Sequence, residues 1–247
     1  MAISQAIFTA DPIGAGLAAL AAALAVGALA FSWRYFEAAH HLYSVLMLLF
    51  LGAMEGFCLS GDLFNLFVFF ELMTVSACAL AGHRNEERGP IQGALNLGIL
   101  NGVGGFLVLH GVALIYARTG ALNLAQIGER LAAAPADALV AVAFALIAGG
   151  FLTKAAAMPF HFWLPDAHAA APTPVCVLLS GVMVQLGLYA VFRVYWTAFS
   201  GPLSARAPSL SAILLALGEA TAALGAALCF SQRHLKRLLA FSTLSHT

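Results

Sequence analysis

Apolar runs of about 20 residues recur along this chain, and a run of that length crosses a lipid bilayer as a helix. We predict helices at 13–33, 41–59, 62–82, 91–116, 137–157, 172–199 and 208–231. Only 9% of residues are charged and 62% are hydrophobic, whereas soluble domains carry about 25% charged residues. Lipid offers no hydrogen bonds to the backbone, so helices satisfy it within each run. The sequence therefore predicts an all-α, multi-pass transmembrane bundle, with residues 1–247 as a single membrane domain.

The loops between the predicted helices differ in basic residues. One set of alternate loops contains Arg34, Arg84, Arg88, Arg233, Lys236 and Arg237. The other set contains Arg118, Arg130 and Arg206. The positive-inside rule places the first set in the cytoplasm.

Composition and motifs also exclude several functions. The net charge is zero, so no nucleic-acid partner is expected. The four cysteines have no zinc-site or disulfide spacing. Neither a dinucleotide fingerprint nor iron–sulfur or haem ligation is present in the sequence. We predict no cofactor and no metal, and any electron transfer belongs to partner chains.

Two charges lie where lipid-spanning segments should be apolar. Glu71 follows Asp62 by nine residues, about 13 Å along a helix. Lys154 lies late in the fifth predicted helix, one turn after Gly150. Each such charge costs about 2.5–3.5 kcal/mol on insertion scales. We predict that the two side chains face each other, because attraction of order 4 kcal/mol offsets much of this cost. The alternative is a static ion pair that fixes helix packing.

A proline-rich stretch follows Lys154 directly. Pro159 removes an amide donor and clashes with the preceding turn, so we predict a helix broken at Pro159. Pro165 and Pro172 prevent one regular helix over 160–172. Irregular backbone at membrane depth lines a wet cavity or is buried in protein. We therefore predict that Lys154 carries protons and that nearby side chains are candidate relays, namely His161, Asp166 and His168.

Three further ionisable residues inside the runs leave alternatives open. Glu55 and Glu219 fit a partner inside the bundle, a subunit contact or a place on a proton path. His110 shares a helix face with Asn96, and we expect an interhelical hydrogen bond there. Arg193 lies near a helix end, where we expect its side chain to snorkel to the interface.

Three stretches carry a resemblance to a known family, and they are GDLFNLFVFFELMTVSACAL, TKAAAMPFHFWLPDAHAAAPTPVCVLLSGVMVQLGLYAVFRV and HLKRLLAFSTLSH. They resemble the antiporter-like subunits of respiratory complex I and of the multisubunit cation/proton antiporters. They are also similar to membrane subunits of group 4 hydrogenases and formate hydrogenlyase. The resemblance implies that Glu71 is the family's essential glutamate and Lys154 its broken-helix lysine. Together they would form a charge pair on the proton-input half-channel.

The resemblance also has consequences beyond this pair. It implies a multi-pass protein of the cell membrane, in bacteria the inner membrane. Its partners would be the bilayer and other membrane subunits of a respiratory or antiporter complex, and its ions protons or sodium. The chain would cover the family's third to tenth helices, as a fragment or as one piece of a split subunit. Gln185 stands where many members have a relay lysine, and Ser180 lies near a position that is histidine in some members. Both are candidate relays.

Two functions therefore compete. The first is an ion-translocating subunit of an oxidoreductase-like or antiporter complex. The second is a scaffold or degenerate subunit, in which the Glu71–Lys154 pair packs helices and moves nothing.

Overall fold

The computed structural model describes residues 7–35, 41–84, 86–133 and 137–247, with the side chains of residues 34 and 35 excepted. Their regular elements are helices, with two isolated β-bridges. The helices are α1 Pro12–Tyr35, α2 His41–Leu59, α3 Leu63–Ala81, α4 Arg88–Thr119, α5 Leu124–Ala132, α6 Ala138–Lys154, α7 Trp163–Ala170, α8 Thr173–Leu178, α9 Val184–Val194, α10 Ala207–Ser231 and α11 Leu235–His246.

Six helical stretches are long and apolar enough to cross a membrane. They are Pro12–Trp33, His41–Leu59, Leu63–Ala81, Arg88–Thr119, Thr173–Phe199 and Ser204–Ser231. The stretch Thr173–Phe199 joins α8 and α9 through two π-helical segments, Leu179–Met183 and Tyr195–Phe199. A seventh apolar helix, α6, is shorter. The predicted all-α, multi-pass bundle is confirmed.

Polar caps define one end of the bundle, which we call the α5 end. Asp62 accepts hydrogen bonds from the backbone amides of Phe64 and Asn65 and so caps the start of α3. Asn123 begins α5 in the same way. Two antiparallel β-bridges join Phe8 to Ser60 and Asp62 to Asn123. These contacts hold the residue 7–11 segment and the short surface helix α5 across the ends of the spanning helices.

The opposite end of the bundle is the basic end, because it carries Arg84, Arg88, Arg233, Lys236 and Arg237. The chain reaches it at the end of α3, the start of α4, around α7 and at the start of α11. The side chain of Arg34, which the sequence also assigns to this end, lies outside the described residues.

Helices α4 and α6 pack closely because glycines face each other. A Cβ built on Gly104 would lie 3.0 Å from the Thr153 Cβ and 3.1 Å from the Gly150 carbonyl oxygen. A Cβ on Gly150 would in turn overlap the Gly104 carbonyl oxygen and the Val108 side chain. These contacts bring the C-terminal end of α6 against the middle of α4.

Candidate functional site

Helix α6 ends at Lys154, inside the bundle rather than at its surface. Ala155 caps the helix, and Ala156 adopts a left-handed φ of 54°. The backbone is then irregular until α7 begins at Trp163. Pro159 lies within this interval, and its role as the cause of the interruption stays a prediction. The interruption follows Lys154 directly, so the side chain sits beside irregular backbone.

Several hydrogen bonds fix this irregular segment. The Trp163 indole Nε1 donates to the Thr153 carbonyl oxygen at 2.9 Å. The Met158 backbone amide donates to the Thr221 hydroxyl of α10, also at 2.9 Å. The Phe160 amide donates to the Ala157 carbonyl oxygen at 2.7 Å. The segment is therefore held both to α6, which precedes it, and to α10.

Lys154 is 0% exposed, and its ammonium is held by helix α3. Nζ donates to the Thr74 Oγ1 at 2.5 Å and to the Phe70 carbonyl oxygen at 3.2 Å. It also lies 3.9 Å from the centroid of the Phe70 ring, in a cation–π contact. All of these partners are uncharged.

Glu71 lies between these two partners of Lys154 in the sequence of α3. Its half-buried carboxylate packs against α4, where Oε1 occupies the space that a Cβ on Gly105 would need. Among the described residues, the ion pairs closer than 4 Å do not include Glu71 with Lys154. The two groups do interact electrostatically over a longer distance. The predicted pairing of Glu71 with Lys154 stays a prediction.

A cluster of polar side chains surrounds Asp166 on α7, at the basic end. Its carboxylate accepts a hydrogen bond from Asn96 Nδ2 at 2.8 Å and forms an ion pair with Arg237 at 2.8 Å. Lys236 donates to the Ala171 carbonyl oxygen at 2.8 Å. A cavity of about 280 Å³ opens beside Asp166 and is lined also by Arg84, by Arg237 and by residues of α4 and α7. The interrupted region thus has a polar, accessible side.

The other candidate relays lie near this region with unequal surroundings. His161 and His168 are buried, and His161 Nδ1 and His168 Nε2 have no hydrogen-bond partner among the described residues. The Ser180 hydroxyl donates to the Cys176 carbonyl oxygen at 2.9 Å within its own helix. Gln185 is half-buried, two residues before Gly187, which packs closely on the Ala155 amide.

The three other ionisable candidates differ from Lys154 in their exposure. Glu55 is half-buried, whereas His110 and Glu219 are exposed. The interhelical hydrogen bond expected for His110 is not formed among the described residues. His110 Nδ1 bonds the Phe106 carbonyl oxygen of its own helix, whereas Asn96 on the same helix face bonds Asp166 of α7.

A second buried cation, Arg193, is not evident from the sequence. It is 8% exposed, so the prediction that it snorkels is wrong. It forms an ion pair with Asp11 at 3.0 Å and donates to the Cys58 carbonyl oxygen at 2.9 Å. It also bonds the Tyr189 hydroxyl and the Thr9 carbonyl oxygen. The sequence feature that indicates its contact with Tyr189 is their spacing of four residues, which is about one helical turn.

Comparison with known proteins decides the family. The family described as "NADH:quinone oxidoreductase/Mrp antiporter, TM" matches residues 60–247. The chain belongs to this family. It is 33% identical over 95% of its length to an NADH-quinone oxidoreductase subunit of Desulforudis audaxviator, and 35% identical over 95% to a probable K⁺/H⁺ antiporter subunit of Rhizobium meliloti. The aligned regions cover 47% and 43% of those proteins, so the chain spans about half the length of these relatives.

Solved structures of related complexes share the fold. The Mrp complex from a Dietzia species matches with a TM-score of 0.85 at 29% identity, over 96% of this chain and 44% of the other. An archaeal membrane-bound sulfane sulfur reductase matches with a TM-score of 0.79 at 32% identity, over 93% and 47%. The chain is therefore a multi-pass membrane protein of the antiporter-like family.

The described residues hold no group of three or more His, Cys, Asp or Glu side chains arranged to bind a metal ion.

Proposed function

We propose that this chain is part of a subunit that translocates protons or cations, with Glu71 and Lys154 as the ionisable carriers. The observation that carries the proposal is Lys154, a fully buried lysine with two hydrogen bonds, both to uncharged groups. An ionisable residue at membrane depth is by default a functional candidate. Lysine, unlike arginine, can lose its proton inside a protein.

The surroundings of Lys154 support the same proposal. Glu71 is close enough to interact electrostatically with the ammonium, yet no ion pair shorter than 4 Å among the described residues holds it there. Its carboxylate is only half-buried. A short movement of either side chain would change the attraction between them, because the attraction falls with distance. The pair can therefore favour or disfavour the proton on Lys154.

The relatives' names suggest the setting. They include an NADH-quinone oxidoreductase subunit and K⁺/H⁺ and Na⁺/H⁺ antiporter subunits. We propose that the partners are other membrane subunits of such a complex, and that the chain corresponds to the third to tenth helices of the family. His161, Asp166 and His168 are proposed relays toward the basic end, and Ser180 and Gln185 toward the rest of the subunit.

A scaffold is the second candidate, and one observation favours it. The hydrogen bonds of Lys154 to Thr74 and Phe70 join α6 to α3, as a purely structural tie would. A scaffold role predicts that loss of Lys154 weakens assembly.

Substitution of the two carriers tests the proposal in the complex that contains this subunit. We expect Glu71→Gln and Lys154→Met to assemble on native gels and to lower proton flux into inverted vesicles by about 100-fold, the scale of acid–base contributions. The matched control is Glu129→Gln, which removes an exposed carboxylate on α5. Wild-type flux in the assembled variants contradicts the proposal. Loss of assembly, with wild-type flux in the fraction that assembles, supports the scaffold.

A further inference from the structure

We propose that Asn101 on α4 positions a water molecule against the ammonium of Lys154; the proposal rests on the proposed function. Asn101 is 0% exposed, and its Nδ2 donates to the Leu97 carbonyl oxygen at 3.0 Å. Its Oδ1 has no hydrogen-bond partner among the described residues. A buried amide oxygen without a partner is uncommon and commonly marks an ordered water.

The contacts between α3 and α4 place Asn101 at the level of the site. A Cβ on Gly105 would meet Glu71, one on Gly98 would meet the Cys78 Sγ, and one on Gly82 would meet Ala94. These three contacts share one antiparallel register. In that register Asn101 lies within one residue of the level of Thr74, whose hydroxyl accepts a hydrogen bond from Lys154.

The contacts between α4 and α6 give the same level independently. Gly111 packs against Ile147, and Gly104 packs against Gly150 and Thr153, so these helices are also antiparallel. Asn101 lies on the same buried face of α4, one turn before Gly104 in the sequence. It therefore lies beside the end of α6, where the regular backbone stops at Lys154.

Among the described residues, Lys154 has an N–H donor without an acceptor, and Asn101 has an acceptor without a donor. A lysine ammonium has three N–H donors, and two of them bond Thr74 and Phe70. Apart from the face of the Phe70 ring, Nζ has no third partner in the described part of the chain, while Asn101 Oδ1 has no donor there. One water donates to Asn101 Oδ1 and accepts from Lys154, which satisfies both groups. The water stabilises the protonated lysine, and Asn101 is thus a positioning residue that carries no proton itself.

Substitution at position 101 in the assembled complex tests this role. We expect Asn101→Leu to lower proton flux about tenfold, the effect of one lost hydrogen bond to a charged group. Asn101→Ser keeps an oxygen that can hold water, and we expect flux within about twofold of wild type, because a bridging water substitutes well for direct contact. The matched control is Val103→Leu, which places the same side chain on the exposed face of that turn.

A cryo-EM map of the complex provides the second measurement. We expect density for a water between Asn101 Oδ1 and Lys154 Nζ in the wild type and its absence in Asn101→Leu. Wild-type flux in Asn101→Leu, or equal losses in the Leu and Ser variants, overturns the role of Asn101. If Glu71→Gln and Lys154→Met nevertheless abolish transport, the proposed function stands and only this inference fails.

Discussion

Two buried cations in this molecule have opposite surroundings. Arg193, at the α5 end, has an acidic partner and hydrogen bonds to a hydroxyl and two backbone carbonyls. Lys154, at the end of α6, has two hydrogen bonds to uncharged groups and a carboxylate beyond 4 Å. Arginine keeps its charge in proteins, whereas lysine can give its proton up. The difference favours a structural role for the well-paired cation and a carrier role for the other.

The strongest test of this comparison keeps a positive charge at position 154 but uses a side chain that cannot release its proton. We expect Lys154→Arg to lower proton flux by about 100-fold while the complex still assembles, because a guanidinium does not deprotonate in proteins. Flux is measured as quenching of a pH-sensitive dye in inverted vesicles. A structural cation predicts the opposite result, namely an arginine variant that transports like the wild type.

The reciprocal test concerns stability. We expect Arg193→Leu to reduce the free energy of unfolding by about 1–3 kcal/mol, because it removes the ion pair with Asp11 and the hydrogen bonds to Cys58, Tyr189 and Thr9. The loss is smaller than the roughly 3–5 kcal/mol of a broken, fully buried ion pair, since the Asp11 side chain is 38% exposed and stays hydrated. Thermal melting of the purified complex measures it, with exposed Arg206→Leu as the control. Unchanged melting with reduced flux per assembled complex would reverse the roles of the two cations.

The smallest expected effect comes from moving Glu71 without altering its chemistry. Gly105→Ala places a methyl group where the Glu71 carboxylate lies, so the side chain must shift. We expect flux to change by about tenfold or less, since the charge remains and only its distance from Lys154 changes. Gly102→Ala is the control, because a Cβ there meets nothing within 4 Å. Identical flux in the two alanine variants argues against a role for the position of Glu71.

The fold can be predicted from sequence because bilayer-length apolar runs have few alternatives to helices. The depths of Glu71 and Lys154 can be predicted too, since position along a helix is a matter of counting residues. Their contacts cannot, because rotation and register between helices depend on distant glycines such as Gly104 and Gly105.

Two wrong predictions have the same physical origin. The sequence places Arg193 at the interface, but the residue 7–11 segment folds over the helix ends and supplies Asp11 as a partner. A shared helix face with Asn96 predicts an interhelical hydrogen bond for His110, but α7 brings Asp166 to Asn96 and His110 stays exposed. Asn101 gives no signal in the sequence, because a buried amide becomes informative only when its hydrogen-bond partners are known.

Proton flux per assembled complex, measured side by side for Lys154→Met and Arg193→Leu, tests the central claim most directly. The carrier role predicts an assembled Lys154→Met complex with almost no flux, and an Arg193→Leu complex that is less abundant but transports normally once assembled. An assembled Lys154→Met complex with wild-type flux would contradict the account.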